Sequence, residues 1–305
     1  MKKFFSVLLL AVVAMTSAFA QQTVVQNKDL DSFSSVVIGE KFSFRLKSAP
    51  NFSVRIIADD RIIDYVRPTV KNGVFTITLN EKKYPAELKK ALKAKGATQP
   101  FLEIEISAPN VKSLEVKDKA MLLAADPMRV DEFTFKASGS AKVSRIDVDC
   151  ISADLEFHGS SQCGLNVNVD TKLNVITENS SVANISQNGG NSILKTKGSS
   201  TLNLKVEVVD VDIESAGGST IYLSGNASMI DVEAAGGSLI DAEALEVREG
   251  NFIQTGSSKC HANVAERMKV NLTGGCMLTF KRKPMIEVDR IVNSTLIKAD
   301  DPKRK

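Results

Sequence analysis

The 305-residue sequence predicts an all-β protein, a right-handed parallel β-helix of about 19–20 residues per coil with an N-terminal β-rich cap and one short helix. Three observations lead there. First, a small-residue turn recurs at Ser138-Gly139-Ser140, Gly159-Ser160-Ser161, Asn179-Ser180-Ser181, Gly198-Ser199-Ser200, Gly217-Gly218-Ser219, Gly236-Gly237-Ser238, Gly256-Ser257-Ser258 and Gly274-Gly275-Cys276, in steps of 20, 20, 19, 19, 19, 20 and 18 residues. Second, alignment on those turns gives columns of one residue type. Four residues after each anchor stand Val143, Cys163, Ala183, Leu202, Ile221, Ile240, Cys260 and Leu278, and two further on stand Arg145, Leu165, Ile185, Leu204, Leu223, Ala242, Ala262 and Phe280. Only Arg145 breaks the apolar rule, and the column between them is polar, the in-out-in alternation of a strand. Third, the chain is 43% hydrophobic but 6% aromatic and lacks Trp, which suits aliphatic ladders. The units carry Val, Ile, Thr, Ser and Asn with almost no run of helix formers, which separates them from leucine-rich and helical repeats.

The elements follow in order. Residues 1–20 read as a secretory signal peptide: Lys2 and Lys3, the short apolar run Val7 to Val13, and Ala18-Phe19-Ala20 before Gln21. No Cys stands at the cleavage point for a lipid anchor, and no stretch is long enough to span a membrane as a helix. Residues 21–110 have the texture of a β-rich cap, with Phe42, Phe44 and Leu46 alternating against Ser43, Arg45 and Lys47, and a tight-turn signal at Asn72-Gly73. Within it a helix is expected near 85–95, opened by Pro85, stopped by Gly96, docked by Leu88 and Leu92, and carrying Lys89, Lys90, Lys93 and Lys95. Those lysines offer a basic patch for an anionic headgroup or glycan, but a solvated helix face is the plainer reading because the apolar side is short. Residues 111–283 form the β-helix proper, about eight coils, with a Gly or Asn corner at positive φ and a Ser column two positions later, from Ser161 to Ser258, bonding the turn. Residues 284–305 are read as a charged tail behind the proline-blocked edge Lys281-Arg282-Lys283-Pro284.

Phe33-Ser34-Ser35-Val36-Val37-Ile38-Gly39 with Phe42-Ser43-Phe44, then Asp59-Asp60, then Asn72-Gly73-Val74-Phe75-Thr76-Ile77, and then the Gly/Ser corners resemble the bacterial auto-transporter adhesin head domain family, also called the head GIN domain. The resemblance spans roughly Phe33 to Lys283. It implies an exported or envelope-exposed β-helix, often from Bacteroidetes-like bacteria, adhesive by name and without established catalytic residues. The chain departs from the family pattern at Lys117-Asp118-Lys119-Ala120, where a Gly/Ser corner is more usual, so an irregular first coil is expected. No series of lipid-facing strands follows Lys283, so the resemblance does not extend to self-translocation.

Function is less legible. The formal charge of +3 falls to +1 without Lys2 and Lys3, too near neutral to argue for a polyanionic partner, and no nucleic acid is expected. Cys163 and Cys260 share a column five coils, roughly 24 Å, apart and are read as core residues; Cys260 and Cys276 are the one pairing the columns leave open. No Cys/His spacing suggests a metal and no motif suggests a cofactor, so none is expected. An enzyme would be a lyase- or glycosidase-like β-helix working through stacked acids, Asp212 with Asp231 or Glu214 with Glu233, about 5 Å apart. An outward charged ladder is the plainer reading, because no Arg, Tyr or His column stands beside them. His158 and His261 lack a Ser or Cys partner. The best binding candidate is the polar column Asn184, Asn203, Tyr222, Asp241 and His261, whose planar groups at one-coil spacing suit hydrogen bonding and stacking along an extended sugar, although an ordinary solvent-facing surface has the same composition. The expectation is a non-catalytic, adhesin-like module of the cell envelope or surface, in the periplasm, on the outer membrane or outside the cell, whose partner is a glycan or a cell-surface protein. The alternatives are a carbohydrate-active β-helix and a purely structural envelope component.

Overall fold

The computed structural model describes residues 22–299; the expected signal peptide at 1–20 and the last residues of the expected tail lie outside them. The chain begins with β1 (Thr23–Asp29), β2 (Ser35–Ile38), β3 (Ser43–Ser48), β4 (Ser53–Asp59), β5 (Val66–Lys71), β6 (Val74–Leu79), helix α1 (Ala86–Lys93) and β7 (Leu102–Ala108). It continues with β8 (Ser113–Val116), β9 (Met121–Ala125), β10 (Met128–Arg129), β11 (Glu132–Ala137), β12 (Lys142–Phe157), β13 (Gln162–Thr177), β14 (Val182–Asn188), β15 (Asn191–Thr196), β16 (Thr201–Glu207) and β17 (Asp210–Ser215). The last strands are β18 (Thr220–Ala234), β19 (Leu239–Thr255), β20 (Lys259–Thr273), β21 (Met277–Lys281), β22 (Met285–Val292) and β23 (Thr295–Lys298).

From β8 onward every pairing is parallel, and the strands stack into a solenoid of about ten turns, two more than the eight expected. Equivalent residues lie over one another: Ala183 pairs with Leu202, Leu202 with Ile221, Ile221 with Ile240, Ile240 with Cys260 and Cys260 with Leu278, and all are buried. The exception in the second column has a local cause. Ser144 and Arg145 together oppose Gly164, a β-bulge that turns Arg145 outward and sets Ile146 over Leu165.

The corners form a second ladder. Gly139, Gly159, Asn179, Gly198, Gly217, Gly236, Gly256 and Gly274 all adopt positive φ, between 63° and 97°. The carbonyls from Gly139 to Gly236 each accept from the next coil, as Gly198 O does from Gly218 N at 2.8 Å and Gly217 O from Gly237 N at 2.8 Å. A Cβ at Gly217 would lie 2.9 Å from Gly198 O, so the requirement is for room as well as for φ. The irregular corner expected at Lys117–Ala120 is in fact regular. Asp118 takes φ 60° and its carbonyl accepts from Ser140 N, because a short polar side chain tolerates the left-handed region. Behind the corners the Ser column is buried. Ser200, Ser219 and Ser238 donate to the carbonyls of Lys197, Ala216 and Ala235, each at 3.1 Å, while Ser181 donates to Phe157 O.

Both ends differ from the division drawn from sequence, in which the solenoid starts at 111 and stops at 283. β2 and β3 already belong to the stack, parallel to β8 and β9 on one side and to β6 and β7 on the other. The strands therefore enter out of sequence, and the first coil in the chain is the second in space. The antiparallel pairings are β1 with β4, β4 with β7 and β5 with β6, and they finish this end of the stack. At the far end β22 and β23 add a further coil beyond Pro284, parallel to β20 and β21. All four cysteines are free and buried, so the Cys260–Cys276 pairing does not form.

Candidate binding groove

The polar column keeps its register across the stack: Asn184 pairs with Asn203, Asn203 with Tyr222, Tyr222 with Asp241 and Asp241 with His261. The first four line an open groove of about 690 Å³ running across the coils. His261 lies one coil beyond it, its Nδ1 3.8 Å from Glu243 Oε1. The groove lies between two bulges. At one end Gly164 has no side chain, and a Cβ there would meet Ser144 O at 2.7 Å. Arg145, expelled by the bulge, is fixed by Asp147 through Nε at 2.9 Å and Nη2 at 2.8 Å. That guanidinium, with the amide of Asn166, holds the Asp147 carboxyl below its usual range. At the other end a second irregularity follows the Tyr222–Asp241 pair and projects Glu243, which Lys281 anchors at 2.9 Å. From the Ser144 coil to the Asp241 coil is five steps, about 24 Å.

The wall is the next outward column, Asn166, Ser186, Lys205 and Ser224, which the sequence reading missed. It was visible as the following outward phase of the same strands, two residues after Gly164, Asn184, Asn203 and Tyr222. Asn203 Nδ2 donates to Asn184 Oδ1 at 2.8 Å, which fixes both amides and leaves their other polar atoms toward solvent. Tyr222 is 45% exposed, enough to offer a ring face. The groove is thus lined by amides, hydroxyls and one phenol; of its charged groups, Arg145 is paired with Asp147 and Glu243 with Lys281, Asp241 accepts from Glu243 N at 3.2 Å, and Lys205 stands mid-groove. Such a surface can hydrogen-bond and stack.

The acidic columns lie elsewhere on the solenoid. Asp212 pairs with Asp231 and Glu214 with Glu233, around a depression of about 280 Å³ that also holds Ile193 and Lys195. Burial, then the charge of Asp231, raises the Asp212 carboxyl above its usual range. Lys195 is 2.5 Å from Glu214 and holds that acid low. No His, Arg or Tyr lines the depression. His158 faces Glu156 at 3.1 Å and Glu178 at 3.2 Å, so both ring nitrogens are engaged by carboxylates. Among the described residues no group of three or more His, Cys, Asp and Glu could hold a metal ion, and no helix is long and apolar enough to cross a membrane.

The family described as "Putative auto-transporter adhesin, head GIN domain" matches residues 32–187 and 156–284. The chain belongs to that family. The two matched stretches of this head GIN domain overlap over 156–187, as a stack of like coils allows, and together they include every residue of the groove. No curated protein matches the chain. Solved structures similar to this head GIN domain include a putative adhesin from Parabacteroides merdae ATCC 43184, 15% identical with a TM-score of 0.37, and one from Parabacteroides distasonis ATCC 8503, 14% identical with a TM-score of 0.44. A third, titled a putative lipid binding protein from Parabacteroides distasonis ATCC 8503, is 14% identical with a TM-score of 0.41. Each comparison covers 92% of this chain and 98% of the other.

Proposed function

We propose that this head GIN domain is an exported, non-catalytic binding module of the adhesin type, and that the groove along Asn184, Asn203, Tyr222 and Asp241 takes an extended neutral carbohydrate. The observation carrying this reading is the lining: amides and hydroxyls at one-coil spacing beside an exposed phenol, between Arg145, held by Asp147, and Glu243, held by Lys281. Sugars present the matching combination of hydroxyl groups and C–H faces. His261 belongs to the same row and would meet only a ligand that overruns Glu243. Family membership supports adhesion, and the features of residues 1–20 support export. A glycan array is the test. The wild-type chain is expected to bind a subset of neutral oligosaccharides, and Tyr222→Ala with Asn203→Ala to lose them; equal binding by both proteins would remove the groove. Cell fractionation tests export, which fails if the chain stays in the cytoplasm.

The second reading, a carbohydrate-active enzyme, draws on the raised Asp212 beside Asp231. Its signature is release of reducing ends from a glycan panel, abolished by Asp231→Asn. Lys195 already occupies Glu214, and no Arg, Tyr or His lines the depression, which favours binding over turnover.

A further inference from the structure

The two ends of the solenoid are finished differently. At the N-terminal end β1, β5 and α1 lie over the outermost coils, and β5 carries Pro68, which blunts an edge. At the other end all eight residues of β22 are exposed, with Met285 at 68% and Val288 at 52%. β22 pairs with β20 alone, so its other backbone edge has no strand against it among the described residues. Ile286, Val288 and Ile291 continue the buried columns of Met268, Val270 and Leu272, so the aliphatic core runs out into solvent here.

We infer that two copies of this chain join tail to tail, β22 of one pairing antiparallel with β22 of the other about a two-fold axis between Val288 and Asp289. β22 reads Met-Ile-Glu-Val-Asp-Arg-Ile-Val, and this register sets Met285 opposite Val292, Ile286 opposite Ile291, and Glu287 opposite Arg290. Directly opposed residues in an antiparallel pair point to the same side. The register shift at Asp289 makes that condition hold. Met285, Glu287, Arg290 and Val292 continue the outward residues Arg267, Lys269, Asn271 and Thr273, whereas Ile286 and Ile291 continue inward ones. Each two-fold thus creates two Glu287–Arg290 pairs on the outside and closes the two cores on each other, an isologous contact that ends growth at the dimer. Charge is complementary on both sides of the axis: Arg290 makes no ion pair within its own chain among the described residues, and Glu287, at 3.6 Å from Lys269, shares that lysine with Asp289 at 3.2 Å.

Sedimentation equilibrium of the full chain at micromolar concentrations tests this, with circular dichroism confirming that each variant keeps its strands. The wild type is expected to be a dimer. Glu287→Arg or Arg290→Glu alone should weaken the dimer about tenfold, since each places like charges opposite each other twice. The double exchange should restore dimerisation, with Asp289 still neutralising Lys269. Val288→Lys, at an exposed position that tolerates it, should leave only monomer. A monomeric wild type, or a dimer indifferent to all four variants, overturns the inference, and single losses that the double exchange fails to rescue overturn the register.

Discussion

The Ser column behind the corners contains two positions for which the same substitution should have opposite results. Ser161 and Ser219 are both fully buried, in the same column. Ser219 Oγ lies 2.8 Å from Ser215 Oγ, 3.1 Å from Thr196 Oγ1 and 3.1 Å from Ala216 O, a closed network inside the solenoid. Ser161 Oγ has no hydrogen-bond partner. Ser219→Ala removes the centre of the network: Thr196 still donates to Ser215 at 2.9 Å, but the buried Ser215 hydroxyl loses its acceptor, a loss of about 1–3 kcal/mol. Ser161→Ala removes a hydroxyl that was desolvated without compensation, so it is expected to be neutral or to stabilise by up to about 1 kcal/mol. A separation of about 2 kcal/mol is roughly thirtyfold in the unfolding constant. Urea unfolding followed by far-ultraviolet circular dichroism reads it, with the m-value checking that the coils unfold together. Equal losses at the two positions would refute the assignment of the column's stability to hydrogen bonding and leave only side-chain volume.

Other consequences are as direct. Ile221→Ala, in the middle of the Leu202–Ile221–Ile240 ladder, should destabilise by about 2–5 kcal/mol in the same unfolding assay. Gly225→Ala should be among the worst single-atom changes, because the new Cβ would lie 1.9 Å from Val206 O at φ 110°; thermal melts should show it far below wild type. The four thiols should resist Ellman's reagent at pH 8 until denaturant is added, since all are buried and burial pushes the Cys150 thiol up to about 11 and that of Cys163 up to about 12. For Asp59, hydrogen bonds from Arg61 hold the folded carboxyl below its usual range, so its stabilising contribution is complete above the unfolded value near 3.8 and is lost as pH falls through the folded one. Asp59→Asn should therefore flatten the acid limb of the stability–pH curve, and an unchanged slope would contradict the pairing.

The solenoid was legible because its corners and columns repeat a physical requirement at every coil: positive φ with no room for Cβ at Gly198 or Gly217, and an aliphatic side chain at Leu202, Ile221 and Ile240. The ends were not. Side-chain alternation in Val36–Ile38 and Phe42–Leu46 tells which face of a strand is buried but not which neighbour it pairs with, so β2 and β3 read as a separate cap although they lie within the stack. Lys281-Arg282-Lys283-Pro284 has the chemistry of a strand edge, yet it is only a corner, and Ile286 and Val288 carry the columns one coil further. Half of the groove could be read, as the row Asn184–Asp241. Its limits could not, because they depend on bulges at Arg145 and Glu243, and a bulge appears in sequence only as a column that fails once.

The out-of-order entry of the first coil bears on how the molecule meets force. β2 and β3 are held between β6 and β7 on one side and β8 and β9 on the other. Tension applied at the N terminus can strip β1 from β4, but it then reaches strands clamped along both edges, where parallel ladders on two sides must shear together. A coil added in chain order would peel one ladder at a time, like a zip. Threading β2 and β3 into the interior of the stack turns the elements loaded after β1 into a mechanical stop.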